Sequence, residues 1–299
     1  MGLGVLKKYL KQWRPLMIPI KGYSTFDTLK HCIVGRGHDP KNVEEPLQEI
    51  MYRTEEDLQS LIKILQSKGV TCYRPTVESL DKRPPISPRD YFIALGQNLL
   101  IGKLQNGYKD ILKMVDPKIV KWYLDTDISS GNMIRCGNHI HWDIGKEVKP
   151  DVEKKIIIWL HDENKYKVSI TRYGWHMDGL YSILKPGVIV AVKELPELEK
   201  IYPKWDICYL DQQQLEKPIE HKWGGNYKES NYDVNILSID QENCIVPSKN
   251  KPLLQFLEKH KINPIISSFR DKAFWDNGIH CVTQDLYREG DKHDYVGKQ

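Results

Sequence analysis

One supersecondary unit recurs along this chain: a strand hairpin, then a helix, then a further strand. About five such units of roughly 50–60 residues follow one another with little literal repetition. Leu29–Val34 reads as a strand ended by Gly35 and Gly37. Residues 44–69 place Leu47, Ile50, Met51, Leu58, Leu61, Ile62 and Leu65 at helical spacing with charges between them, and Val70–Pro75 then reads as a strand. Tyr91–Leu95 and Leu99–Ile101 form a hairpin about a Gly-Gln-Asn turn, and Met133–Cys136 with His139–Ile144 form another about Gly137-Asn138. A helix over Val152–Leu160 and a strand over Val168–Thr171 follow. Two strands flank the Lys185-Pro186-Gly187 turn. After a polar loop over 211–233 come Val234–Ile239, Cys244–Pro247, a helix over Pro252–His260, a strand over Ile262–Ile266 and the Cys281 segment. Such α/β units, packed around an axis, bury one core and leave strand ends at a central mouth. Asp90, His176, Asp178 and Cys281 all fall at comparable strand-start positions, so they are expected to meet there although remote in sequence.

Taken locally, none of these residues declares a function. Cys281 heads a β-like run behind the Gly278 turn, a setting that suits a nucleophile, and a nucleophilic thiol needs a histidine to move protons. Arg89-Asp90 alone reads as an ion pair at a strand edge, and His176-Met-Asp178 as a structural pair on one side of an entering strand. His139, His141 and Asp143 alternate along one strand and read as a polar, solvent-facing row in preference to a metal site. The two glycines at 35 and 37 read as a strand-end turn, since no helix follows directly to complete a phosphate loop.

The net charge of +4 over 299 residues, with lysines and acids interspersed, gives no argument for nucleic acid. No run approaches the ~18 apolar residues of a membrane span. Leu6 stands where a myristoylation signal carries Ser or Thr, and Lys7, Lys8 and Lys11 interrupt the early apolar run. Residues 1–22 are expected to form an extension, with Leu6, Leu10 and Trp13 on a docked helix, ahead of one domain over 23–299. The six cysteines show no C-x-x-C pair, which predicts reduced thiols and a cytoplasmic protein.

Three segments together resemble the signature segments of amidinotransferases, with glycine amidinotransferase as the named relative. They are Pro88-Arg-Asp90, His176-Met-Asp178 and His280-Cys281-Val-Thr-Gln-Asp-Leu-Tyr-Arg-Glu-Gly290. Phe26–Gly35, Gly131–Gly137 and Asn235–Asp240 match in the same order, so the resemblance covers about residues 23–296. It implies the five-bladed α/β propeller, or pentein fold, in agreement with the repeated unit. It also implies that Cys281 attacks the guanidinium carbon of arginine, that Asp90 and Asp178 hold the guanidinium, and that His176 protonates departing ornithine. Arg89, Asn132 and His280 join the implied substrate-binding set. An amine acceptor then collects the amidino group from the cysteine. No cofactor or metal is needed, the partners are small molecules rather than nucleic acid or membrane, and a homodimer is compatible with this reading.

The sequence departs from the family in two places. Ser129 stands where the family carries an acidic residue that orients the histidine, and Asp127, two residues earlier, is the substitute carboxylate. The family's arginine for a substrate carboxylate has no match after Val192, where Lys193 is nearby. Two other readings stand beside the transferase: a guanidino hydrolase of the same fold, resolving the intermediate with water, and a silent guanidinium-binding protein.

Overall fold

A computed structural model describes residues 17–297 apart from 103–105, 124–128, 146–147, 175, 193–194, 196, 212, 215–218, 225–228 and 231. The helix expected around Leu6, Leu10 and Trp13 lies outside the described residues, as do Asp127 and Lys193. The extension is seen from Met17 onward as an extended segment. Ile18 and Ile20 are buried, Ile18 N donates to Met114 O, and Gly22 forms a bridge with Gly96.

The repeated unit takes the form of five three-stranded sheets within a mixed α/β fold. In each sheet the middle strand pairs antiparallel with one neighbour and parallel with the other. Phe92–Leu95 (β3), Asn98–Ile101 (β4) and Val120–Tyr123 (β5) form one such sheet. Met133–Cys136 (β6), His139–Asp143 (β7) and Lys167–Thr171 (β8) form the next. Tyr181–Lys185 (β9), Val188–Val192 (β10) and Asp206–Leu210 (β11) repeat the pattern. So do Leu237–Ser238 (β14), Asn243–Val246 (β15) and Asn263–Ile266 (β16). The remaining sheet joins the two ends of the chain. Thr28–Val34 (β1) pairs antiparallel with the last strand, Thr283–Glu289 (β17), and parallel with Thr71–Tyr73 (β2). Part of the 211–233 loop is ordered as a further pair, Gln213–Gln214 (β12) with Glu229–Ser230 (β13).

The parallel third strand requires a crossover, and the helices supply it. The longest, Leu47–Ser67 (α1), buries Ile50, Met51, Leu58, Leu61, Ile62 and Leu65 along one stripe. Shorter helices are Lys109–Lys113 (α2), Pro150–Ile158 (α3), Glu197–Ile201 (α4), Lys251–Lys259 (α5) and Lys272–Trp275 (α6). The helix expected over Val152–Leu160 begins at Pro150, a residue suited to a first turn, and runs on into a π turn over Trp159–Glu163.

Apolar clusters lie between sheets rather than within one. Ile33 and Leu286 pack with Phe92 and Leu99; Ile93 and Leu100 with Met133 and Ile140; Ile134 with Ile183 and Val190, and these with Val246; and Leu237 and Ile245 with Leu29 and Cys32.

The row His139, His141 and Asp143 corrects the sequence reading. β7 is buried along its whole length, so the row faces the interior and not solvent. β7 is a middle strand, and the next unit covers its polar face. His141 Nδ1 lies 2.8 Å from the Tyr181 hydroxyl, and the His139 ring packs edge-on to Tyr202. Burial pushes both histidines down to about 4, so both are neutral at pH 7.

Candidate active site

Short 3-10 turns precede the first strands of successive units: Pro88–Asp90 before β3, Ser130–Asn132 before β6, Met177–Gly179 before β9 and Tyr232–Val234 ahead of β14. Successive turns pack against one another, so residues on them gather at one place. His176 and Asp178 therefore do not lie on an entering strand, as the sequence suggested. His176 precedes, and Asp178 lies within, a turn closed by hydrogen bonds from Gly179 N to His176 O (3.0 Å) and Leu180 N to Met177 O (2.9 Å). The approach to that turn is latched by Asp143, whose carboxylate accepts from Tyr173 N at 2.7 Å and Gly174 N at 2.9 Å.

Cys281 arrives from the other side. α6 ends at Asp276, whose backbone is left-handed (φ 52°). The chain then loops so that Val282 N donates to Gly278 O and Thr283 N to His280 O, each at 3.1 Å, and β17 begins. The loop is anchored by α1, since Trp275 Nε1 donates to Thr54 Oγ1 at 2.7 Å and Arg270 Nε pairs with Asp57 at 2.9 Å. Asn235, just past the Tyr232–Val234 turn, grips the loop. Its Oδ1 accepts from His280 N (2.8 Å) and Cys281 N (3.2 Å), and its Nδ2 donates to Asp178 O (2.9 Å) and Cys281 Sγ (3.2 Å). A Cβ on Gly278 would stand 2.3 Å from Asn235 Oδ1, so this close approach requires glycine.

Asp178 connects the two halves. Its Oδ2 accepts from His280 Nδ1 at 2.7 Å and lies 3.5 Å from Cys281 Sγ. Its Oδ1 is buried and has no hydrogen-bond partner among the described residues. That oxygen faces the Gly131 backbone. A Cβ built there would come within 3.0 Å of Asp178 Oδ1 and 3.1 Å of both His176 Nδ1 and Ser129 Oγ. The imidazole of His176, the free carboxylate oxygen of Asp178 and the Ser129 hydroxyl thus border one spot, which a side chain at 131 would crowd. His176 is half exposed, and its Nδ1 stands 3.7 Å from Asp90 Oδ1. Ser129 bonds elsewhere than to that imidazole: its Oγ accepts from Gly131 N at 2.9 Å and contacts Asp90 Oδ1 at 3.4 Å. Asn132 ends the same turn, partly exposed beside Gly131.

The charge states follow from burial and pairing. Burial and the Arg89 charge hold His280 down at about 4 against the pull of Asp178. Burial alone would raise Asp178, but its hydrogen bond to His280 and the nearby positive charges hold it at about 2. Near neutral pH an ionised Asp178 therefore accepts from the Nδ1–H of a neutral His280. Burial, and then the charge of Asp178, push the Cys281 thiol well above its ordinary value. Burial likewise raises Asp90, partly offset by His176.

Arg89 points inward, 1 % exposed. It donates from Nε to His280 O at 2.8 Å and from Nη2 to Asp285 at 3.2 Å. Asp285 also receives Arg135 and, at 2.7 Å, Arg288. Burial would raise Asp285, yet the three guanidinium groups hold it well below the carboxylate range. This buried cluster lies directly beneath the cysteine loop.

Asn235 was missed as a site residue, although Asn235–Asp240 contributed to the resemblance. The available signal was positional: Asn235 stands at the strand start of its unit, as Asp90, Asn132 and Asp178 do in theirs.

No family model matches this chain, and no curated protein matches its sequence. Solved structures do match in fold. An amidinotransferase of the saxitoxin biosynthetic pathway in Microseira wollei superposes with a TM-score of 0.71 at 20% identity, covering 93% of this chain and 99% of that one. The inosamine-phosphate amidinotransferase of Streptomyces griseus gives 0.68 at 19% identity over 93% and 99%. DDAH from Pseudomonas aeruginosa, solved with citrulline, gives 0.60 at 13% identity over 86% and 99%. The chain thus shares its mixed α/β fold of five small three-stranded sheets with these structures.

Proposed function

We propose that this protein is an amidinotransferase that moves the amidino group of arginine, or a close guanidino analogue, to a primary amine. The observation that carries the reading is the orphaned Oδ1 of Asp178, a buried anionic acceptor beside the Cys281 sulfur. A buried carboxylate oxygen without a donor is costly, and a planar cation with paired N–H groups satisfies it. Asp90, near His176 on the adjoining turn, supplies the second carboxylate.

In this mechanism the bound guanidinium offsets the field of Asp178 and Asp90 that disfavours the thiolate. His176 takes the thiol proton, and the sulfur bonds to the guanidinium carbon. The C–N bond to the departing amine then breaks. His176 returns the proton to that nitrogen, releasing ornithine and leaving an amidino-cysteine. The second half runs in reverse: His176 deprotonates the acceptor amine, whose nitrogen displaces the sulfur. Arg89, expected to touch substrate, is proposed instead to brace the loop from beneath, and His280 to fix the orientation of Asp178. The five sheets are proposed to stand as blades around one axis within a single domain over 23–299.

Incubation with guanidino-labelled arginine, with and without a panel of amines, tests the reading. Transfer predicts repeated turnover to ornithine and a labelled guanidino product only when a competent amine is present, and at most one equivalent of ornithine per protein without it. Citrulline without any amine would assign the protein to the hydrolases of this fold. Binding of arginine without any product would leave a silent binder.

A further inference from the structure

We infer that Asn235 is a working part of the nucleophile, its side-chain amide N–H stabilising the charged sulfur of Cys281 while its carbonyl fixes the loop that carries it. This rests on Cys281 being the nucleophile of the proposed reaction. Among the described residues, Asn235 is the side chain that both donates to the sulfur and holds the sulfur's own backbone.

The orientation of the amide is settled by its neighbours. Two backbone N–H groups, of His280 and Cys281, converge on one end of the side chain, and an N–H can only donate. That end is therefore the oxygen. The nitrogen is left facing two acceptors, the carbonyl of Asp178 at 2.9 Å and the sulfur at 3.2 Å. The side chain is 1 % exposed, so no rotation to solvent competes. The two N–H bonds of the amide are divided between them. One ties the turn of Asp178 to the cysteine loop, and so sets the spacing between carboxylate and sulfur. The other is directed at the atom that becomes anionic. The second function matters because Asp178, 3.5 Å from the sulfur, opposes a thiolate, and the hydrogen-bonding groups that favour one are the Gly278 backbone and the Asn235 amide. A fixed neutral dipole favours the anion without repelling an incoming guanidinium, which a lysine or arginine at this place would do.

The variant Asn235→Asp separates this role from a structural one. It is nearly isosteric, and one oxygen still accepts both backbone N–H groups, but the sulfur loses its donor and gains a facing oxygen. The experiment is the pH profile of iodoacetamide alkylation of Cys281, localised by peptide mass, in the absence of any substrate. The inference predicts that the midpoint rises by about one to two pH units, the size of a hydrogen bond to a charged group. Alkylation at a fixed pH below the midpoint slows by the corresponding factor. Asn235→Leu, of similar shape and uncharged, removes the donor without adding the carboxylate charge of Asn235→Asp or altering Gly278, and should move the midpoint the same way. It is the variant to read if Asn235→Asp does not fold. A folded variant of either kind whose midpoint matches the parent overturns the inference, whatever the protein does with arginine. Alkylation that leaves Cys281 unmodified in the parent overturns instead the nucleophile assignment on which it rests.

Discussion

The carboxylate of Asp178 acts in two opposed directions. On the proposed function its charge holds a cationic group, yet the same charge, 3.5 Å from the Cys281 sulfur, works against the thiolate. Asp178→Asn should therefore make the thiol more acidic and the enzyme slower at once. Turnover of a guanidino donor is expected to fall by about 10²–10³, the usual loss when a preorganised charge partner is removed. The substrate-free alkylation midpoint of Cys281 should meanwhile move to lower pH. A midpoint that stays put would show that the carboxylate does not act on the sulfur. Cys281, His176, Asp178 and Asp90, the residues of the proposed site, could be singled out in the sequence because their residue types carry chemistry and their segments carry a resemblance. The inward course of Arg89 could not, because neighbours on a one-turn helix leave it in different directions: Asp90 lies beside His176 and Arg89 reaches the buried Asp285. Asn235 was passed over because an amide is neither titratable nor nucleophilic, although its strand-start position was a signal.

β7 shows where pattern reading stops. Alternation along a strand assigns His139, His141 and Asp143 to one face but does not say what covers that face. Here Tyr181 and Tyr202 of the following unit cover it, and Asp143 at its end latches the segment leading to His176. Asp143→Ala should free the backbone N–H groups of Tyr173 and Gly174 and let the His176 turn drift. The expected result is a fall in kcat with little change in KM, together with about 1–3 kcal/mol of lost stability for hydrogen bonds to a charged acceptor exchanged for water. An unchanged kcat in a destabilised variant would confine Asp143 to a structural role. α1, by contrast, was read almost to its ends, because an apolar stripe at helical spacing with charges between is a local signal. What the stripe could not reveal is that Thr54 and Asp57, on the same helix, hold the segment before Cys281.

The pairing of β1 with β17 brings the two described ends of the fold into one sheet, so the Cys281 loop is set by a contact across nearly the whole chain. The repeated unit was visible locally, but this closure was not, since no local pattern encodes a partner so far away. Burial throughout the assembly also leaves a signature in acid. His139, His141 and His280 are each held down to about 4 from an ordinary 6.5. In that window the unfolded chain binds protons that the folded chain refuses, so stability is complete above pH 6.5 and is lost as pH falls toward 4. Each shift corresponds to on the order of 3 kcal/mol. Urea unfolding at pH 7 and pH 4.5 should show a large fall in stability, reduced in His139→Gln; equal stabilities would mean that these imidazoles are not buried as described. The measurement closest to the central claim is intact mass after an acid quench, following brief incubation with guanidino-labelled arginine and no acceptor amine. The account predicts one labelled amidino adduct, mapped to Cys281 and absent from Asp178→Asn. Product formation in a Cys281→Ala variant, or an adduct on any other residue, would contradict it.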